Sequence, residues 1–176
     1  MSGHNKWSKI KHQKASTDAK KSKVFSKYSK LITNESKKAK GDVNSPGLAF
    51  IIDKARKENM SKDVIDRAVK KGLGNEAGSM EANTYEAYGP GGSAIIIESL
   101  TDNRNKAAQE VKHILSKNGA SLAGIGAASW AFEKKNGEWI PKMTVDLSDE
   151  DLVTLEKIVD DLEDNDEVQG VFTNVE

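Results

Sequence analysis

The chain of 176 residues contains no cysteine. Disulfides and thiolate chemistry are thereby excluded, and a reducing compartment is the expected setting. Its three histidines, His4, His12 and His113, are scattered, and no carboxylates cluster with them at ligand spacing, so neither a metal site nor a cofactor is expected. No apolar run approaches the length needed to span a bilayer. No signal peptide is read, and the lysine- and serine-rich start is not taken as a transit peptide, because the informative residues begin at Gly3; the expected location is the cytoplasm. Nothing arranges a Ser/His/Asp set or an activated nucleophile, so no enzyme is expected. Gly124-Ile125-Gly126 lacks the third glycine and the following helix of a dinucleotide fingerprint.

Net charge is also missing, with 27 basic and 27 acidic residues, but the balance hides a division. Residues 1–71 hold 19 Lys/Arg against 7 Asp/Glu, a net of +12, and residues 72–176 carry −12. Such asymmetry argues for two modules. The densest stretch, Gly3 to Lys40, has twelve lysines against Asp18 and Glu35, a net of +10. That field is costly on a protein alone and favourable beside a polyanion, whose neutralised phosphates release counterions. A charge run can be a solvated face, but this density favours nucleic-acid binding. The acidic remainder would orient any complex with the basic front inward.

Residues 3–14 have one Trp and one Ile among Lys, His, Asn and Ser, which reads as a basic arm. Its Trp7 would stack or wedge against bases, or dock on the helical core. From Val24 the spacing of Val24, Phe25, Tyr28, Leu31 and Ile32 predicts an amphipathic helix. The candidate phosphate contacts are Lys6, Lys9, Lys11, Lys14, Lys20, Lys21, Lys23 and Lys27. His12 would add a phosphate or base contact, and Arg104 a second point of attachment.

Two further helices are predicted. Ser45-Pro46 opens one, with Leu48, Ile51, Ile52 and Ala55 inward; Ser61 caps the next, with Val64, Ile65, Ala68 and Val69 inward and Gly72 as its stop. The back half gives strands near Tyr85–Tyr88 and Ser93–Leu100, a helix after Asn103, a hairpin turning at Asn136-Gly137, a helix after Ser148 and a strand at 168–172. The fold class is α+β: a basic three-helix bundle over 1–76, then a ferredoxin-like βαββαβ domain over 77–176.

Other chemistries read weakly. Gly89-Pro90-Gly91-Gly92 precedes a strand, whereas a phosphate cradle needs a helix N-terminus behind it. The acidic runs at 149–151 and 160–167 bring to mind a metal-dependent nuclease, but they fall at a helix start and a helix exit, where solvated acids are common. Thr101-Asp102-Asn103 caps a helix. Arg104 beside it would touch phosphate or pair with acids of the front module.

Gly3-His4-Asn5-Lys6-Trp7, Ile10-Lys11-His12, Lys14-Ala15, Asp18-Ala19-Lys20, Tyr85-Glu86-Ala87-Tyr88-Gly89-Pro90-Gly91-Gly92 and Leu100-Thr101-Asp102-Asn103-Arg104-Asn105 together resemble the YebC/PmpR family. The resemblance covers nearly the whole chain. It implies a helical first domain followed by α/β domains, and a DNA-binding transcriptional regulator. The alternative it implies is a ribosome-associated translation factor that binds rRNA or tRNA and relieves stalling, as for the mitochondrial translational activator of cytochrome oxidase. Asn5 and Gln13 depart from the family's usual Ser and basic residue. The family's inserted third domain is expected to be absent near 134–140.

Overall fold

The computed structural model describes Trp7, residues 18–75 and residues 78–176. These fall into two compact units, one within Ser16–Met80 and the other combining Trp7 with Glu81–Glu176.

The first unit is helical: α1 (Asp18–Lys38), α2 (Pro46–Lys57) and α3 (Lys62–Leu73). Pro46 occupies the first turn of α2 with Ser45 as its extended N-cap, and the Ser61 hydroxyl caps α3 by accepting from the Val64 N–H at 3.4 Å. Ile32, Leu48, Ile52, Ala55, Ile65 and Ala68 are buried together, with Phe25 and Tyr28 leaning on them. Two details depart from the stripes read in sequence. Leu31 is only half-buried while Thr33 and Ser36 are buried; their hydroxyls donate to the carbonyls of Ala68 and Val69 at 3.2 and 2.8 Å. Gly72 is not a stop but lies inside α3, where a Cβ would come 2.5 Å from the Thr33 carbonyl oxygen. The α1–α3 crossing is therefore closer than apolar side chains would allow, and polar hydroxyls are buried at no net loss because each has a partner.

The second unit is an antiparallel sheet with helices: β1 (Glu81–Tyr88), β2 (Ala94–Thr101), α4 (Arg104–Lys117), β3 (Ser121–Ala123), β4 (Phe132–Lys135), β5 (Glu138–Pro141), α5 (Asp149–Glu163) and β6 (Val168–Thr173). Four strands form one sheet in the order β3-β1-β2-β6, and β4-β5 form a separate two-stranded sheet. The α+β class, with helices first and a sheet after, is as the sequence indicated. The strand sequence βαββαβ needs correction. This unit begins with the β1–β2 hairpin, so the sheet strands arise as ββαβ, then αβ. The hairpin at Asn136-Gly137 stays outside the main sheet. Strand neighbours still follow a split βαβ: β2 and β3 flank β1, with α4 crossing between them. The reason is the length of β1, which pairs with β2 over the full run from Glu81 opposite Thr101 to Tyr88 opposite Ala94. That pairing takes the edge that the later hairpin would have needed.

The sheet has two covered faces because side chains alternate. Ala87, Ile95 and Ile97 join Val111, Leu115, Leu155, Ile158 and Leu162 from α4 and α5. On the other face Ala94 and Ile96 meet Ala128, Ala131 and Phe132. The two halves of the hairpin turn, Asn136 and Gly137, both have positive φ (52° and 79°), as a tight primed turn requires. Pro141 ends β5 opposite Phe132. Val145 does not extend that strand but forms a parallel bridge to Val175.

Asn174 binds three segments together. Its side-chain oxygen accepts from the Ala94 N–H at 2.8 Å and its amide donates to the Met143 carbonyl at 3.1 Å, with the residue itself buried. Asn174→Ala strands a buried N–H and a carbonyl, and is expected to cost about 2 kcal/mol, measured by urea denaturation. Asn174→Asp keeps the acceptor but loses the donor and buries a charge, so it should cost at least as much.

Candidate nucleic-acid interface

Of the expected contacts, Lys6, Lys9, Lys11, His12 and Lys14 lie outside the described residues. Trp7 is half-buried and packs against the core formed by β1, β2, β6, α4 and α5. It docks on the apolar core of the sheet unit rather than on the helical one.

Lys20, Lys21, Lys23 and Lys27 all lie on α1. Helical spacing sorts them. Phe25, Tyr28, Ile32 and Ser36 follow one another at three or four residues and form the packed face. Lys20, Lys23, Lys27 and Lys30 do the same on the opposite side, along about 15 Å of helix. Lys21 falls off this row. The four lysines thus share one side of α1, where each is half-buried.

Arg104 opens α4, whose true N-cap is Asn103: its side-chain oxygen accepts from the Lys106 N–H at 3.1 Å. Thr101 braces the turn, its hydroxyl accepting from the Asn103 N–H at 2.9 Å and donating to the Asn103 carbonyl at 3.0 Å. The Arg104 guanidinium reaches Glu81 of its own unit at 3.6 Å, with both side chains well exposed. Such a pair is worth under about 1 kcal/mol and yields readily to a phosphate. Lys106, by contrast, is held by Glu110 at 3.8 Å and Glu167 at 3.5 Å. Their carboxylates, Glu110 first, raise its pKa above the usual lysine value.

The Gly89-Pro90-Gly91-Gly92 stretch is a turn between β1 and β2, with Gly91 and Gly92 at φ 62° and 76° and the Gly89 N–H donating to the Ser93 carbonyl. No group of three or more His, Asp or Glu side chains suited to a metal occurs among the described residues.

Sequence reasoning passed over Glu86. Since Tyr85 and Ala87 face the α4–α5 core, Glu86 points to the other face, where residues 124–131 fold over it. Its carboxylate accepts from the backbone N–H groups of Gly126 (2.6 Å), Ala128 (3.0 Å) and Ser129 (2.6 Å). Burial pushes its pKa up, but the N–H groups of Gly126, Ser129 and Ala128 together outweigh this and hold it below the ordinary 4.5. The same loop is fixed from outside, where Tyr88 Oη and Trp130 Nε1 both donate to the Ala127 carbonyl. The available signal was a lone acid inside an alternating strand, facing a loop with two glycines.

Family models match almost all of the chain. The TACO1/YebC protein N-terminal domain matches residues 5–75, and the TACO1/YebC second and third domain matches 80–137 and 135–175. A protein of Desulfosudis oleivorans named "Probable transcriptional regulatory protein" is 44% identical over 178 residues, covering 100% of this chain and 72% of the relative. One of the same name from Citrifermentans bemidjiense is 45% identical over 176 residues, covering 99% and 71%. The crystal structure of a conserved hypothetical protein from Aquifex aeolicus superposes with a TM-score of 0.81 at 27% identity, covering 97% of this chain and 96% of that one.

Proposed function

Because the chain belongs to the TACO1/YebC family, we propose that it is a non-enzymatic regulator of gene expression that acts by binding DNA through its basic N-terminal residues. The observation carrying this is the lysine row of α1 on the side opposite its packed face. In sequence it follows the opening lysines Lys6, Lys9, Lys11 and Lys14. Lys20, Lys23 and Lys27 hold phosphates of one backbone, and on the sheet unit Arg104 exchanges Glu81 for a phosphate. Trp7 tethers the start of the arm to the sheet unit. The names of the relatives support regulation of transcription. The meeting of the two matched pieces at 135–137 supports β4–β5 as the place where longer relatives carry additional residues.

About six engaged lysines give a fall of log K with log salt of slope roughly −5 on duplex DNA. Replacing Lys9, Lys11 and Lys14 together by Ala should weaken binding and bring the slope to roughly −2.5, measured by fluorescence anisotropy across a salt series. An unchanged slope would remove the arm from the interface. Competition of ribosomes against duplex DNA at physiological salt tests the target: preference for ribosomes would replace the transcriptional reading with a translational one.

A further inference from the structure

On α2, Leu48, Ile52 and Ala55 are buried against the bundle. Residues 50, 54 and 57 then fall on the side directly opposite, by helical geometry. An outward position on a helix in water normally carries a polar residue, yet here it is Phe50, 47% exposed. Lys54, one turn on, places its ammonium 4.8 Å from the centre of the ring, and the exposed Lys57 follows on the same ridge. Phe50 is not part of the unit's buried apolar core. The unit is basic as well, with 15 Lys/Arg against 7 Asp/Glu over residues 18–75.

We propose that the ridge Phe50–Lys54–Lys57 is a site for an unpaired nucleotide. The base stacks on the exposed part of Phe50, and the flanking phosphates meet the Lys54 and Lys57 ammonium groups. A flat ring joined to cations binds single strands by stacking, without regard to base identity. A duplex, whose bases are stacked on one another, offers the ridge only its phosphates. This deepens the nucleic-acid reading above and rests on it: α1 and the arm hold the backbone, and α2 selects a strand with an unpaired base.

The test uses the full chain and a twelve-nucleotide oligouridine carrying 5-bromouracil, irradiated and mapped by mass spectrometry, beside a twelve-base-pair DNA duplex in binding assays. The crosslink is expected at Phe50. Phe50→Ala should weaken single-strand binding about tenfold, the size of one stacked base, and change duplex binding less than twofold. Phe50→Trp should restore the single-strand affinity. Lys54→Ala with Lys57→Ala should lower the salt slope on the single strand. Crosslinks that map only elsewhere, equal losses on both probes, or no rescue by Trp would overturn the site. The crosslink map on the unaltered chain decides the matter even where Phe50→Ala fails to fold. A chain that binds duplex DNA normally but shows no dependence on Phe50 overturns this inference alone. A chain that binds neither probe at low salt overturns the nucleic-acid reading as well.

Discussion

Gly72→Val lowers the stability of the helical unit by about 3 kcal/mol and, with it, nucleic-acid binding. At this position a Cβ would sit 2.5 Å from the Thr33 carbonyl oxygen, 2.7 Å from the Ser36 Cβ and 3.0 Å from the Lys37 nitrogen. Two of those neighbours are backbone atoms in the C-terminal turns of α1, so no side chain can rotate away and the helices must part. Parting them lengthens the Thr33–Ala68 and Ser36–Val69 hydrogen bonds, now 3.2 and 2.8 Å, and leaves buried hydroxyls without partners. Helix propensity works in the other direction for Ala, which gains about 1 kcal/mol over Gly. Gly72→Ala should therefore lose less than Val, and still be destabilised. Far-UV circular dichroism against urea checks both. Gly74→Ala is the control: its nearest neighbour would be the Lys71 carbonyl at 3.4 Å, an ordinary contact, and its stability should change by less than about 0.5 kcal/mol. A Gly72→Val chain as stable as the parent would mean that α1 and α3 do not cross so closely.

Glu86→Ala should cost about 3 kcal/mol in the sheet unit. Three backbone N–H groups lose an ionised acceptor at 2.6 to 3.0 Å. The loss also leaves a gap beneath Ala128 and Ala131, which cover Ile96. Glu86→Gln retains one acceptor oxygen and puts an NH₂ against N–H donors, so its cost should be about half as large. The pH dependence distinguishes the charge from the shape. The folded pKa lies below the ordinary 4.5, so the carboxylate's contribution is complete above about 4.5. It is lost as pH falls through the folded pKa. The parent should thus lose stability on acidification in that window more steeply than Glu86→Gln. Equal acid limbs for the two proteins would show that ionisation of Glu86 contributes nothing.

Much of the fold was legible because local rules and tertiary packing agree. Ser61 and Ser148 were readable as caps and do accept N–H groups of their helices. Asn136-Gly137 turns a hairpin because both positions take positive φ. The run from Ala94 to Thr101 is a central strand, covered on both faces as a nearly unbroken apolar stretch must be. Illegible features came from pairings between distant residues. No periodicity indicates that Thr33 and Ser36 belong in the bundle core, since their burial depends on carbonyls 33 and 35 residues away. Residues 81–84 are mostly polar and mostly exposed, so the length of β1 follows from its partner β2 rather than from its own pattern.

The candidate interface divides the same way. Charge is a property of composition, so the basic front, the acidic back and the lysine-dense opening follow from the residues alone. So does the α+β class, because capping and hydrophobic period act over a few residues. Tertiary structure decided which face of each helix is packed. It set Lys20, Lys23, Lys27 and Lys30, each half-buried, on the side of α1 away from the bundle core, turned Phe50 outward, seated Trp7 on the sheet unit and sank Glu86 among backbone N–H groups. Each of these depends on a neighbour distant in sequence.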